Sequence, residues 1–283
     1  MSKFKNIDIT KIPTTSQCKK MSFTIAKGGQ LKSTSVVNVA SAIIKDPSIE
    51  KARVCIIDLD AQGNIFTSFG KDADMLEKGS DLSAALLKQD IENTVFELYS
   101  EDEDRFIHGI SSNEQCDLIE MQILTSLETY PNPTLLLRDL VKKLEKSYTH
   151  IIIDTPPSYG IIVANVFMVE GIEIYVPFEP DTYSLRSVAK VIKTYDSFVH
   201  QNSSIFFGGV FATKVKMNTN VHGSIINTAR AFTQMNKKLY LDAFIPNNIK
   251  SSNAVYYEAV PALLSTRKID RVIEYLELWE EIR

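Results

Sequence analysis

No apolar run in this chain approaches the roughly 20 residues that a membrane-spanning helix needs, and its first residues carry no secretory-signal pattern. Cysteine is scarce: Cys18, Cys55 and Cys116 have no paired spacing, and Cys55 sits inside an apolar run. A disulfide framework is thereby excluded, and the pattern fits a reduced, cytoplasmic protein. Excess basic charge is missing too. With a formal net charge of −4, the chain is no basic nucleic-acid coat, so any DNA contact has to come from a local patch. Internal repeats and low-complexity tracts are also absent.

The 283 residues suffice for one sizeable α/β domain with a well-filled core. Residues 1–20 are polar, carry Pro13, Thr14, Thr15 and Ser16, and read as an extended leader with little core of its own; residues 21–283 read as the domain. Unbroken apolar strands are expected at Phe23–Ala26, Arg53–Leu59, His150–Asp154, Ile172–Pro177, Ile205–Ala212 and Leu239–Phe244, with a further strand at Leu118–Ile123. Helical periodicity falls between them, from Val36 to Ile44, Thr134 to Lys146, Ile161 to Val169, Ser184 to Phe198, Ser224 to Gln234 and Lys268 to Ile282. This alternation predicts a doubly wound, mostly parallel sheet with helices on both faces. Residues 71–115 give little pattern beyond an amphipathic segment at Leu82–Leu87 and an acidic stretch, Glu101–Asp104, read as a solvated loop.

Ligands of such sheets sit at the carboxyl ends of the strands, where three segments carry chemistry. The first is Lys27-Gly28-Gly29-Gln30-Leu31-Lys32-Ser33-Thr34, a glycine-bearing turn from strand to helix that offers free N–H groups, lysines and a hydroxyl to a phosphate. The second is Asp58-Leu-Asp60-Ala-Gln62-Gly-Asn64, and the third is Asp154-Thr-Pro-Pro. Together they supply cations for a nucleoside triphosphate, a hydroxyl with carboxylates for Mg²⁺, and an acid to orient water. Taken singly, the glycines are also an ordinary turn and each aspartate an N-cap or turn former. The loop departs from G-x-x-x-x-G-K-[ST], with Ala26 and Leu31 at the two glycine positions. A left-handed Leu31 would cost roughly 1–2 kcal/mol, about a tenfold loss of affinity.

The three segments, with Phe178-Glu-Pro and Phe244-Ile-Pro-Asn-Asn-Ile-Lys250-Ser-Ser-Asn-Ala, resemble the ParA family of partition ATPases, a P-loop family with a deviant Walker A motif, from about residue 21 to the C-terminus. The resemblance implies ATP and Mg²⁺ as cofactors, with residues 27–34 on the nucleotide and Pro246 and Asn247 near adenine. It makes Lys27 the signature lysine that reaches across a homodimer to the partner's nucleotide, Asp60 the water-positioning acid, and Ser33, Asp58 and Asp154 the metal-facing set. It further implies a dimer formed on ATP binding, non-specific DNA binding, a ParB-type centromere-binding partner that stimulates hydrolysis, and a cytoplasmic, nucleoid-associated protein. Lys250 stands where a DNA-contacting arginine is usual, whereas Asn218 replaces another, leaving Lys214 and Lys216 close by; Arg267, Lys268 and Arg271 could extend the patch. Weak ATPase activity is expected from Leu31. The leader is too short for a helix-turn-helix domain, no cysteine is placed to bridge a cluster between subunits, and there is no tyrosine-rich tail. A MinD-like membrane-associated ATPase is the alternative, although the acidic segment 274–283 suits anionic lipid poorly. A DNA-binding relative weak in hydrolysis is the other.

Overall fold

Isoleucine- and valine-rich segments, buried on both faces, set the centre of the molecule. The structure, a computed structural model, describes residues 4–181, 183–216, 220–268 and 272–283, without the side chains of Gln115 and Asp117. Its strands are β1 (Lys19–Phe23), β2 (Ala52–Asp58), β3 (Phe96–Ser100), β4 (Arg105–Ile110), β5 (His150–Asp154), β6 (Ile172–Phe178), β7 (Phe206–Val215) and β8 (Tyr240–Pro246). They form one eight-stranded sheet in the order β3-β4-β2-β5-β1-β6-β7-β8. Every pairing is parallel except that of β3 with β4 at one edge. Alternate residues of one strand enter opposite cores: Cys55 and Ile57 face one layer, Val54 and Ile56 the other. Such strands need helices on both sides.

The helices are α1 (Lys32–Lys45), α2 (Asn64–Thr67), α3 (Leu82–Leu87), α4 (Ile119–Thr125), α5 (Leu136–Leu144), α6 (Ile161–Phe167), α7 (Ser184–Phe198), α8 (Asn220–Met235), α9 (Lys250–Glu258) and α10 (Glu274–Ile282). Helices α1 and α10 cover one face, with Tyr275, Leu278, Trp279 and Ile282 of α10 buried. The opposite face is covered by α5, α6 and α7 through Leu137, Val166 and Val188, among others. The doubly wound architecture expected from the alternation is the one observed. From β1 the chain passes to β2 on one side and later sets β6 on the other, so the strand order reverses around β1. In sheets of this kind ligands sit outside the carboxyl ends of the strands, beside such a reversal.

Four local expectations need correction. The first strand spans Lys19–Phe23 rather than Phe23–Ala26, so it begins within the segment read as a leader. That segment does have core contacts: Ile7, Ile9, Ile12 and Cys18 pack against the central cluster, and Ile7 N–H donates to Val95 O at 2.9 Å. Residues 118–123, expected as a strand, end a 3₁₀ turn and enter α4, because Ile119 and Ile123, one helical turn apart, are buried while Met121 is exposed. The acidic stretch Glu101–Asp104 is more than a solvated loop. It joins β3 to β4, and Asp104 receives the buried guanidinium of Arg53, whose Nε lies 2.9 Å from Asp104 Oδ1.

Candidate functional site

The loop between β1 and α1 lies at the carboxyl edge where the strand order reverses. After Thr24 N–H bonds Tyr175 O at 2.9 Å, the backbone leaves the sheet and turns through Gly29 (φ 72°) and Leu31 (φ 59°, ψ 29°) into α1. Leu31 thus holds the left-handed geometry that a β-carbon disfavours. Its carbonyl accepts Ser35 N–H at 2.8 Å, and its half-buried side chain packs on the core layer shared with α1 and α10. Gln30 ties this loop to the segment after β6. It is 1 % exposed, its Oε1 accepts Glu179 N–H at 2.7 Å and the Ser184 hydroxyl at 3.3 Å, and its carbonyl accepts the Thr213 hydroxyl at 3.4 Å.

Three lysines border the loop. Lys32 is buried, with Nζ 3.4 Å from Lys27 O; burial pulls its ammonium below the ordinary lysine value, against the opposing pull of Asp154 and Asp60. Lys27 turns the other way, pairing with Asp181 and donating to Ser184 Oγ at 2.9 Å. Burial pushes the Asp181 carboxyl up, but hydrogen bonds from Lys27 and from the N–H groups of Ser184 and Tyr183 outweigh it and hold the group below the usual range. Lys214, at the end of β7, brings its ammonium to 3.6 Å from where a β-carbon on Gly29 would stand and 3.7 Å from Glu179 Oε2.

Carboxylates close the opposite side. Asp58 and Asp154 are paired across β2 and β5, and both are fully buried. Asp58 spends its oxygens on the next loop, accepting Asp60 N–H at 3.1 Å and Ile65 N–H at 3.3 Å. Asp60 is half-buried and accepts Gln62 N–H at 3.1 Å. Asp154 differs, since neither of its buried oxygens has a hydrogen-bond partner of sound geometry. Burial raises its carboxyl well above the usual range, Asp60 adds to that, and the Ser33 hydroxyl and Lys32 ammonium pull it back. Burial likewise raises Asp58, with Asp154 contributing. Two orphaned carboxylate oxygens beside a hydroxyl and a second acid fit a hard divalent cation such as Mg²⁺. Asp154 and Ser33 are the fitting ligands, while Asp58 shapes the loop that carries Asp60.

The remaining expected residues lie further out. Pro246 ends β8 opposite Val215, and Asn247 N–H donates to Val215 O at 3.0 Å, one residue from Lys214. Lys250 begins α9, while Lys216, Arg267 and Lys268 are exposed. The Arg267 guanidinium lies 4.2 Å over the ring of Tyr257. Asn218 and Arg271 fall outside the described residues. From the sequence Gln30 had no role as a clamp and Glu179 no role within Phe178-Glu-Pro, while Asp181 and Ser184 went unassigned. Their signal was available, because Phe178-Glu-Pro-Asp follows a strand directly, as the chosen segments do.

A lysine-bearing loop from strand to helix beside buried strand-end acids, on a parallel sheet, defines the class: a P-loop nucleotide-binding α/β protein. Residues 18–206 match the family model described as an AAA domain. A ParA family protein of Mycoplasma genitalium is 30% identical over 271 residues, covering 93% of this chain and 96% of the relative. The chromosome partitioning protein ParA of Myxococcus xanthus is 25% identical over 258 residues, covering 90% and 84%. Cobyrinic acid a,c-diamide synthase from Mycobacterium smegmatis, solved with bound ADP and magnesium, superposes with a TM-score of 0.71 at 22% identity, covering 93% of each chain. The last likeness is one of fold. The chain belongs to the ParA family of P-loop ATPases.

Proposed function

We propose that this protein binds Mg²⁺–ATP and hydrolyses it to ADP and phosphate in the service of DNA segregation. The carrying observation is the convergence of Lys27, Lys32, Ser33, Asp60 and the unpartnered Asp154 around one strand-to-helix loop at the strand-order reversal. Loop N–H groups and Lys32 hold the phosphates, Asp154 and Ser33 hold Mg²⁺, and Asp60 orients the attacking water. Mg²⁺ supplies charge neutralisation at the phosphates when bound. Lys27 sits at the rim and, released from Asp181, reaches the nucleotide of a second copy, so that ATP assembles a homodimer. The dimer binds DNA non-specifically through Lys250 with Lys216, Arg267 and Lys268, a contact that needs only positive charge and weakens with salt. A ParB-type partner stimulates hydrolysis and releases the dimer, which makes the protein nucleoid-associated in the cytoplasm. The M. xanthus relative, named for chromosome partitioning, supports this reading.

The buried apolar face of α10 speaks against the membrane-associated alternative, since Tyr275, Leu278, Trp279 and Ile282 are committed to the core. Leu31 fits a working site better than a crippled one, because its strain belongs to the fold. The test measures dimerisation and DNA mobility with ATP and with ADP, beside sedimentation with anionic liposomes. The expected result is ATP-dependent dimers that shift DNA, with Asp60→Ala trapping them on it. No nucleotide binding by the natural sequence, or ATP turnover at the normal rate by Asp60→Ala, would overturn the reading.

A further inference from the structure

Among the lysines beside the β1–α1 loop, Lys214 is the one that neither the sequence pattern nor the family's motif assigns to the nucleotide. It leaves β7 in the left-handed conformation, at φ 51°. The pairing of β7 with β8 loses register between Ala212 and Val215, so the strand's alternation breaks at this residue. Irregularities of that kind re-aim a side chain, and here the ammonium is carried over Gly29, 3.6 Å from where a β-carbon there would stand. The neighbouring Thr213 hydroxyl bonds Gln30 O at 3.4 Å, which fixes the end of β7 to the same loop. The side chain keeps 31% exposure, and the carboxylate facing it, Glu179, lies at 3.7 Å. An ion pair of that length, about one-third exposed, stabilises little, less than a left-handed backbone costs a residue with a β-carbon. The pair alone therefore does not account for the conformation. Strained residues of this kind gather where a ligand is held.

We infer that Lys214 is a third phosphate-facing cation of the nucleotide site, held ready over Gly29 by Glu179, and not a DNA contact. The inference rests on reading residues 24–34 as the phosphate loop. Lys27 is held by Asp181 and Ser184 and Lys32 is buried against the Lys27 carbonyl, so Lys214 supplies charge on the side of β7.

The test titrates Mg²⁺–ATP against the wild type, Lys32→Ala, Lys214→Asn and Lys214→Arg, asparagine being chosen because it tolerates the left-handed region. Lys214→Asn should weaken ATP about tenfold, as loss of a charge-assisted contact does. It should also flatten the salt dependence of ATP affinity, a change that a merely structural role would not produce, and Lys214→Arg should restore both. The salt slope of DNA binding at saturating ATP should stay at the wild-type value in Lys214→Asn. If Lys32→Ala loses ATP while Lys214→Asn binds as the wild type does, this inference fails and the phosphate loop stands. If the wild type and Lys32→Ala are equally unresponsive to ATP, the phosphate-loop reading fails first. A DNA salt slope reduced by about one unit in Lys214→Asn, with ATP affinity unchanged, would return Lys214 to the DNA patch.

Discussion

Replacing Leu31 by glycine separates two places where the cost of this unusual loop could fall. A side chain at φ 59° costs roughly 1–2 kcal/mol relative to glycine. Glycine gives part of that back, because the unfolded chain gains freedom worth about 0.5–1 kcal/mol. It also forfeits the half-buried packing of the leucine on the α1–α10 layer, worth on the order of 1 kcal/mol. The sum lies within about 1 kcal/mol of zero, a melting shift of about 2 °C for a chain of this size. Affinity is a separate matter. The folded loop already holds Leu31 left-handed, and its side chain turns to the core, so the strain enters the folding equilibrium and cancels from binding. Leu31→Gly should therefore bind Mg²⁺–ATP within about threefold of the wild type. A fluorescent-nucleotide titration beside a thermal melt reads both quantities. Tenfold tighter binding at unchanged stability would refute the reasoning and show that Leu31 obstructs the phosphates.

Other outcomes follow from the same contacts. Asp181→Asn keeps an oxygen for the Tyr183 and Ser184 N–H groups but releases Lys27, so ATP-dependent dimers should form at several-fold lower protein concentration by sedimentation; weaker dimerisation would contradict a holding role for Asp181. Burial raises both Asp58 and Asp154, so the pair keeps a proton where isolated carboxyls would not, and taking up Mg²⁺ expels it. Apparent Mg²⁺–ATP affinity should therefore rise with pH through neutrality, with proton release on binding; a flat profile would count against the metal assignment. Burial, helped by Lys5, holds His108 down at about 3, and burial with Lys19 outweighs Asp46 to hold His150 at about 4. Because the unfolded chain takes up protons first, stability falls as pH drops through about 6.5 towards those values, by roughly 2 kcal/mol per histidine between pH 7 and 5. His150→Phe should lose that share in urea unfolding at the two pH values, and an identical decline in variant and wild type would refute it.

How far the sequence could be read depended on how local each signal was. His150–Asp154 was legible because its residues are buried on both faces, which leaves an unbroken apolar run, and Ser184–Phe198 because its apolar stripe repeats over several turns. Leu118–Ile123 misled because Ile119, Met121 and Ile123 satisfy a strand's period, while Ile119 and Ile123 satisfy a helix's; burial chose the second. Strands β3 and β4 were not readable, since β3 is an antiparallel edge strand and its acidic hairpin is anchored by Arg53, 51 positions earlier in the chain. Lys27, Asp58, Asp60 and Asp154 were within reach because each lies within a few residues of a strand end, and Lys32 because it opens the helix that follows the glycine-bearing turn. The partner of Lys27 was not: 154 positions separate it from Asp181.

That distant pairing changes what the loop's chemistry means. Lys27 faces Asp181 and Lys214 faces Glu179, both acids coming from the turn after β6, and Gln30 clamps that turn to the loop. A phosphate entering the site competes with carboxylates already in place, so its affinity is a difference between two sets of charge contacts. Both pairs are about one-third exposed, and pairs of that exposure contribute at most about 1 kcal/mol. They can set a threshold for nucleotide engagement without blocking it. It follows that removing an acid and removing its lysine should move nucleotide affinity or dimerisation in opposite directions. The two effects should also fail to add when combined, because once the lysine is gone the acid has nothing left to withhold.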